Sequence, residues 1–487
     1  MSKFIPVIGL EVHCELKSNS KNFSSSKNGE GEVNTNLCPL DLGYPGTLPV
    51  VNREAVRKSL MVALALNCNV PEKLCFDRKN YYYPDLPKGY QITQFGSPIG
   101  VHGYVMIDTD NGPKKITIQD THLEEDTANM DHMSTYSLID YNRAGVPLLE
   151  TVTDPCISSA DEAIQYLEAL RNIFLYLDVS DARADLGQIR VDVNVSLKRE
   201  EDSKLGTRVE MKNINSFKTV REAIISEIDR QTKILESGGV IEQETRRYDE
   251  NIGTSVFMRS KVDAVDYKYY RESNIPEIKL RDSFIDSVKN SLPVLEYERR
   301  HRYIDEYGIG KIDASTLTKD KKLSDYFEKI ISYGSNPIQT SNMIVGFLLG
   351  YMNKNFLSLD DIKINEEDFA SIIKMMDDGK ISNKQAKDIF TKAIEEDKNV
   401  MDIAKEMGSQ ISDKEEIRRI INEVFSENSK VIEDYKNGKN VNGFIMGLIM
   451  KKTSGKVNPG ITNMVLKEEL EKWSEPQIVH KNKKLVV

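Results

Sequence analysis

The sequence predicts an α+β protein, with strands gathered in its first part and helices in the rest. Three observations carry that expectation. The stretch "QIRVDVNVSLK" alternates without a break, Ile189, Val191, Val193, Val195 and Leu197 against Arg190, Asp192, Asn194, Ser196 and Lys198, the period of a half-buried strand. Past Pro276 and Pro293 the period becomes helical, in "VLEYERRHRYIDEYGI", "KLSDYFEKIISYG" and "SNMIVGFLLGYMNKNF". At 487 residues the chain is also too long for one ordinary core, and two to four domains are expected. The boundaries fall at 1–290 for the sheet domain, 291–408 for a helical domain and 409–487 for a small helical tail.

The elements follow in chain order. "IGLEVHCEL" (8–16) reads as a strand with Leu10, Val12, Cys14 and Leu16 on one face and Glu11, His13 and Glu15 on the other. One clear helix interrupts the sheet: Ser159 and Glu162 form a capping box ahead of Ile164, Leu167, Leu170, Phe174 and Leu177. After the strand at 188–198, "TRVEMK" turns Val209 and Met211 inward and Arg208, Glu210 and Lys212 outward. Near "EMGSQIS" (406–412) a second capping box, Ser412 with Glu415, opens the tail ahead of Ile417, Ile420, Ile421, Val424 and Phe425.

Composition narrows the class. Hydrophobic content of 39% and charged content of 29% suit a globular protein, and no apolar run approaches the roughly 20 residues of a membrane span. The N-terminus shows no signal-peptide pattern, so the expected location is the cytoplasm. Five cysteines form no C-x-x-C pair, and their odd number argues against a disulfide framework. A net charge of −10 gives no bulk attraction to nucleic acid, yet from Lys451 onward eight lysines face four glutamates. A solvated end explains such a tail as well as a binding role does.

No P-loop, dinucleotide fingerprint, G-x-S-x-G or H-E-x-x-H motif occurs. Nucleotide chemistry would therefore need a site built from sheet carboxylates. Acidic stripes recur: Glu11, His13 and Glu15; His122, Glu124, Glu125 and Asp126; Asp140, Arg143 and Glu150; Asp192 and Glu210 among Arg190, Arg208 and Lys212. Carboxylates interleaved with cations suit divalent ions bridging a polyphosphate. His13 fits Mn²⁺ or Zn²⁺ better than Mg²⁺, or serves a proton. A sheet face laced with surface ion pairs is the competing explanation. "FDRKNYYYPDLPKGYQITQF" (76–95), with its three tyrosines, Pro84-Asp85-Leu86-Pro87 and Lys88-Gly89-Tyr90, does not suit a regular helix or a central strand, and reads as a rigid loop that lines a passage, grips a substrate or is simply anchored by aromatic packing.

These blocks, together with "HLEED", "DYNRAGVPLLE", "GTRVEMKNINSF", "FMRSK", "DASTLTKDKKLSDYFE" and "GFIMGLIMKKTSGKVNP", resemble the GatB family of the tRNA-dependent amidotransferases over nearly the whole chain. The resemblance implies a mixed, largely antiparallel cradle domain, a helical domain and a tRNA-contacting helical tail. It implies a ligase of translation (class 6.3.5) that uses ATP with Mg²⁺ or Mn²⁺ to convert Glu-tRNA(Gln) or Asp-tRNA(Asn) to the amide through an acyl phosphate. Ammonia would come from an amidase-type glutaminase subunit, and a small third subunit would brace the pair in a heterotrimer, with no membrane involved. By the same resemblance, Glu11, His13, Glu125, Glu150 and Glu210 form the catalytic set. All five would also ligate metal, joined by Asp192, and either Glu124 or Glu125 points inward. Arg190, Arg208 and Lys212 would meet phosphate, Lys79 and Lys88 would border an ammonia channel, and Lys451, Lys452 and Lys456 would touch tRNA.

Two departures stand out. Ser24, Ser26 and Asp41 replace three of four cysteines of a zinc site common in the family, leaving Cys38, so no structural zinc is expected and ordinary packing should hold the loop. Asp185-Leu186-Gly187 stands where many members have two glutamates before the glycine. That change is the one feature favouring a non-catalytic tRNA-binding paralogue. A stand-alone ATP-dependent ligase for a small carboxylate is the other alternative.

Overall fold

The computed structural model describes residues 4–214, 216–260, 266–408, 410–436 and 439–474. The chain divides into two compact units that meet in sequence at Arg299 and Arg300. Three apolar clusters fill them: one ending at Leu295, one spanning Tyr303 to Met407, and one from Ile411 to Leu470. Among the described residues no helix is long and apolar enough to cross a membrane.

The first unit is built on β1 (Ile5–Glu15), α1 (Arg53–Ala65), β2 (Asp77–Asn80), β3 (Tyr90–Thr93), β4 (Gly100–Thr109), β5 (Gly112–Glu125) and β6 (Pro147–Thr153). It continues with α2 (Ala160–Tyr176), β7 (Ile189–Lys198), β8 (Val209–Ile214), α3 (Phe217–Glu236), β9 (Glu244–Asp249), β10 (Thr254–Ser260) and β11 (Tyr270–Arg271). Eight strands form one sheet in the order β10-β9-β8-β7-β1-β6-β5-β4, and β11-β2-β3 form a smaller one. In the large sheet only β8 and β9 run parallel.

Alternation along β1 decides which face does what. Leu10, Val12 and Cys14 are fully buried in the core with Leu167, Leu170 and Phe174 of α2 and with Val220, Ala223 and Ile224 of α3. The helices seal that face by burying apolar area, and Glu11, His13 and Glu15 are left on the other.

The sequence suggests one helix here; the structure adds α1, α3 and a short helix at Asp282–Lys289. The α1 segment packs Leu60, Met61, Val62 and Ala63 consecutively into the core, a run whose period is not helical by eye. Two caps also differ from expectation. Ser159 does cap α2 through the Glu162 amide, but the Glu162 carboxylate bonds to the Ser158 amide and Lys114 rather than back to Ser159. In the tail, Asp413 replaces Ser412 as the cap of helix Lys414–Glu427, because its carboxylate accepts from the Glu416 amide.

The second unit is helical throughout its described residues, from Arg300 onward. Helices such as Lys321–Ser332, Glu366–Asp377 and Asn383–Glu396 surround Phe327, Phe369 and Phe390. Within "SNMIVGFLLGYMNKNF" the helix passes through a π turn at Ile344–Leu348.

Candidate active site

Register on the large sheet assembles the site. His13 of β1 faces Glu150 of β6 on one side and Arg190 of β7 on the other, and Glu150 faces His122 of β5. Two residues back, Glu11 faces Asp192. One strand further, Asn194 faces Glu210 of β8, and Glu210 faces Thr245 of β9. Two groups of possible metal ligands result, His13 with Glu124 and Glu150, and Glu11 with Asp192 and Glu210, each with its ligand atoms within 4.8 Å of one another.

In the first group His13 Nε2 lies 3.3 Å from Glu150 and 3.9 Å from Glu124. His122 approaches the same Glu150 oxygen at 3.2 Å, and its Nδ1 is 2.8 Å from Asp120. Burial works to raise the Glu150 carboxyl, but the two imidazoles overcome it and hold it well below the usual range. Burial opposes protonation of His13 and His122, and the carboxylates around them raise both nonetheless. Burial and the nearby Glu150 charge push Glu124 up. Its Oε2 is buried with no hydrogen-bond partner, an acceptor that lacks a cation or donor.

In the second group Asn194 donates to Glu11 at 2.8 Å, and Thr245 donates to Glu210 at 2.9 Å. Burial and then the Glu150 charge raise the Glu11 carboxyl. Lys212 reaches Asp192 at 2.5 Å and Glu210 at 3.3 Å. The register of β7 and β8 slips between Val191 and Val193, and such a bulge re-aims side chains, here Lys212 toward Asp192.

A cavity of about 460 Å³ opens above these groups, lined by His13, Glu124, Asp192 and Lys212, by Lys79 of β2, the central strand of the small sheet, and by Tyr81 just after it. Lys79 is half-buried with its Nζ 5.1 Å from the Tyr267 ring centre, and no described carboxylate lies within ion-pair distance of it. Burial lowers its affinity for a proton, yet the Glu124 and Glu150 charges win and raise it.

Other expected site residues lie elsewhere. Glu125, one residue from Glu124, turns to the opposite side, where both its oxygens pair with Lys88 at 2.5 and 2.6 Å and one accepts from the Ile92 amide. Glu124, not Glu125, joins the histidine group. Arg190 bonds to Asp126 at 2.7 Å at the cavity wall. Arg208 is exposed ahead of β8 and joins neither group. Glu15, on the same polar face as Glu11 and His13, is half-buried; burial and then Asp126 push its carboxyl up to about 7. Asp185 pairs with Arg183 at 2.5 Å on an exposed turn and Leu186 is exposed, so neither adds an atom to the clusters. In the tail Lys451 and Lys456 are exposed, and Lys452 is tied to Glu423 and Glu427. His122 stands in a stripe the sequence singles out but is not placed in its catalytic or metal set, and its partner Asp120 is missed; the spacing of two residues from His122 to Glu124 was the available signal.

The loop that carries Ser24, Ser26 and Asp41 is held by a carboxylate, not by ordinary packing. Asp41 accepts from Ser24 at 2.8 Å, Ser26 at 2.5 Å and the Cys38 amide at 2.9 Å, with buried Lys21 at 3.7 Å. Gly145 closes this knot at φ +85°, where a Cβ would sit 3.3 Å from Asp41.

Comparison with known proteins follows the same division. Residues 6–286 match the family described as GatB/GatE catalytic domain, and residues 325–470 match one described as GatB domain. The corresponding GatB subunit of the aspartyl/glutamyl-tRNA(Asn/Gln) amidotransferase of Oceanobacillus iheyensis is 45% identical over 471 residues, covering 96% of this chain and 99% of that one. Its counterparts in Thermoanaerobacter pseudethanolicus and Persephonella marina are 44% and 43% identical, each over 96% of this chain and all of their own.

Proposed function

The chain belongs to the GatB family of aspartyl/glutamyl-tRNA amidotransferase subunits, and from that premise we propose that its sheet cavity is the ATP-dependent amidation site. The chain is one component of a multi-subunit transferase that acts on tRNA and consumes ATP. In the reaction proposed for the cavity, the side-chain carboxylate of the misacylated Glu or Asp attacks the γ-phosphate of ATP. The P–O bond to ADP breaks, and an acyl phosphate forms. Ammonia from the glutaminase subunit then attacks the acyl carbon, phosphate leaves, and Gln-tRNA(Gln) or Asn-tRNA(Asn) remains. A small third subunit completes the proposed heterotrimer, and the cytoplasm is its proposed location.

The observation that carries this reading is the pair of acid clusters on one sheet face, with a buried Glu124 oxygen left unsatisfied between charged neighbours. That donor set fits divalent cations. His13, Glu124 and Glu150 would hold one and Glu11, Asp192 and Glu210 another, Mg²⁺ or, given the imidazole, Mn²⁺. When bound, such ions neutralise the two anions that must meet and the charge of the transferring phosphoryl group.

The chain's own cations complete the arrangement. Lys212 stands beside the second cluster, where it can hold phosphate. Lys79, without a carboxylate partner, suits the substrate's carboxylate beside the first cluster. Arg190 and Asp126 brace the wall between them. The Lys88–Glu125 pair lies behind Glu124 and borders the side assigned to ammonia. The Asp41 knot already satisfies its own donors and acceptors, and we infer that it holds no zinc. The exposed Asp185–Leu186 turn removes nothing from the clusters, so it lends no support to a non-catalytic paralogue.

The test is amidation of Glu-tRNA(Gln) and Asp-tRNA(Asn) by the complex, supplied with ATP, Mg²⁺ and ammonium in place of glutamine. Product from wild type and none from Glu11→Gln, with tRNA still bound, is the expected result. ATP cleavage that needs no tRNA would instead indicate a stand-alone ligase.

A further inference from the structure

The small sheet turns an aromatic face toward the cavity that the proposed reaction leaves unused. Lys79, Tyr81 and Gln91 line the cavity from β2, its exit and β3. The Tyr267 ring stands 5.8 Å from Tyr81 and 6.1 Å from Tyr269. Phe95 stacks on Tyr269 with centroids 4.0 Å apart and planes 9° from parallel. Burial raises the Tyr269 phenol; Lys79 opposes this, and Glu124 and Glu150 add to it, so the ring lies within electrostatic reach of the first cluster. The rings thus run from the cluster out to solvent.

Packing of the loop explains Tyr81 and Tyr267, which are half-buried. It does not explain Phe95, which is 65% exposed although its neighbours Thr93 and Gln94 are buried. Its backbone is held: the Phe95 and Gly96 amides both donate to Asp77 at 3.1 Å. The ring is presented from a fixed backbone, with one face against Tyr269 and the other open.

We propose that the Phe95–Tyr269 stack is the platform on which the unpaired terminal adenine of the aminoacylated tRNA stacks. The proposal rests on the amidation reading above. There the reacting carboxylate hangs from the terminal ribose by one amino acid, so the terminal base must rest within a nucleotide's length of the cavity. Base-on-aromatic stacking is how proteins hold single-stranded ends. The adenine of ATP shares that chemistry, but the polyphosphate belongs at the Lys212 end, beside Glu11, Asp192 and Glu210. The stack stands at the Lys79 end, beside His13, Glu124 and Glu150, where the acyl group enters. Exposed Lys268 and Arg271, flanking Tyr269, add positive charge for the adjoining phosphates.

The experiment uses the full complex and a tRNA whose terminal adenine is replaced by 2-aminopurine. Wild type quenches the fluorescence on binding. Phe95→Ala abolishes the quench and raises the KM for misacylated tRNA about ten-fold, the size expected for one lost stacking contact. The KM for ATP stays unchanged, and Phe95→Tyr restores both readouts; Tyr269→Leu repeats the loss from the other ring. Unaltered quenching in Phe95→Ala overturns the proposal, as does a rise in the KM for ATP alone. So does loss of another component from the variant complex on gel filtration, which would make the ring an interface residue. Wild type that quenches but forms no amide would overturn the amidation reading and leave the platform standing.

Discussion

Two acidic regions of the first unit solve the problem of a buried carboxylate in opposite ways. At the knot, Asp41 is surrounded by two hydroxyls, an amide and an ammonium group, and every partner comes from the chain itself. On the sheet face, two histidines stand against Glu150 and Glu124, and one buried Glu124 oxygen has no hydrogen-bond partner among the described residues. A buried acid without donors is costly. Its presence argues for a charge that arrives from outside, whereas the satisfied acid argues for a closed structural role. Where the family resemblance leads one to expect cysteines, Ser24, Ser26 and Asp41 bond to one another instead.

The strongest way to break that contrast is to neutralise one acid on each side. Glu150→Gln should lower ATP- and ammonium-dependent amidation by roughly 10³-fold, several kcal/mol of lost charge stabilisation, with little change in melting temperature. Glu150 takes the first place because it alone is shared by His13 and His122. An unchanged rate would disconnect the histidine cluster from the chemistry.

Asp41→Ala should do the reverse. It strands the buried Lys21 ammonium and should cost about 3–5 kcal/mol of stability, read as a lowered urea midpoint. Mn²⁺ affinity of the folded variant should match wild type. A chelator sharpens the point: EDTA should stop amidation without lowering the melting temperature of the first unit. A chelator-induced melting shift that Asp41→Ala abolishes would mean the knot is a metal site after all.

Periodicity made the sheet legible, and with it the face. Ile189 to Lys198 alternates in the sequence, and β7 buries its apolar set, though Asn194 and Ser196 of the polar set are buried as well; Glu11 and His13 share a side as the period of two demands. Which strands lie next to each other is a long-range matter that no local pattern encodes. Glu150 meets His13 only because β6 pairs with β1. The choice between Glu124 and Glu125 needed the position of Lys88, which draws Glu125 to the far side. Arg208 and Lys212 looked alike on paper, yet only Lys212 is carried to Asp192 by a bulge. The Asp41 knot was half legible: three lost cysteines said what was missing, but the hydrogen bonds that replace them depend on backbone geometry.

His122 tests how far the open cluster extends. It touches Glu150 with one nitrogen and Asp120 with the other, the position of a group that orients a ligand. His122→Asn should weaken Mn²⁺ binding by about 10–100-fold, measured by electron paramagnetic resonance of the free ion, and leave the knot and the fold intact. Asp120→Asn should act in the same direction with a smaller effect. Equal Mn²⁺ affinity in both variants would confine the site to its three ligands.

A third buried acid separates charge pairing from hydrogen bonding. Glu272 is fully buried, and Arg78 binds it through two nitrogens at 2.5 and 3.1 Å. Burial raises its carboxyl, but Arg78 and Asn274 hold it below the ordinary 4.5. Above 4.5 both folded and unfolded forms are ionised and the stabilisation is complete. As pH falls through 4.5 toward the lower folded value, the unfolded chain takes up a proton that the folded chain refuses, and stability drops. Glu272→Gln should therefore be less stable than wild type at pH 7, with a gap that narrows in acid. A gap independent of pH would assign the loss to packing rather than charge.

The smallest effect expected is the most discriminating for the phosphate end. Arg208 and Lys212 sit on the same alternating stretch, two turns of the pleat apart, and both carry a cation that suits phosphate. Arg208 is solvent-exposed and pairs with neither acid cluster, whereas Lys212 spans Asp192 and Glu210. Surface charges away from a site change free energies by about 0.5 kcal/mol or less. Arg208→Ala should accordingly leave the KM for ATP within about two-fold of wild type, while Lys212→Ala raises it by roughly ten-fold or more, through loss of a charge-assisted contact. Were Arg208→Ala to match Lys212→Ala, the nucleotide would have to reach beyond the cavity to the exposed start of β8. The two acid clusters would then mark only the inner end of the binding site.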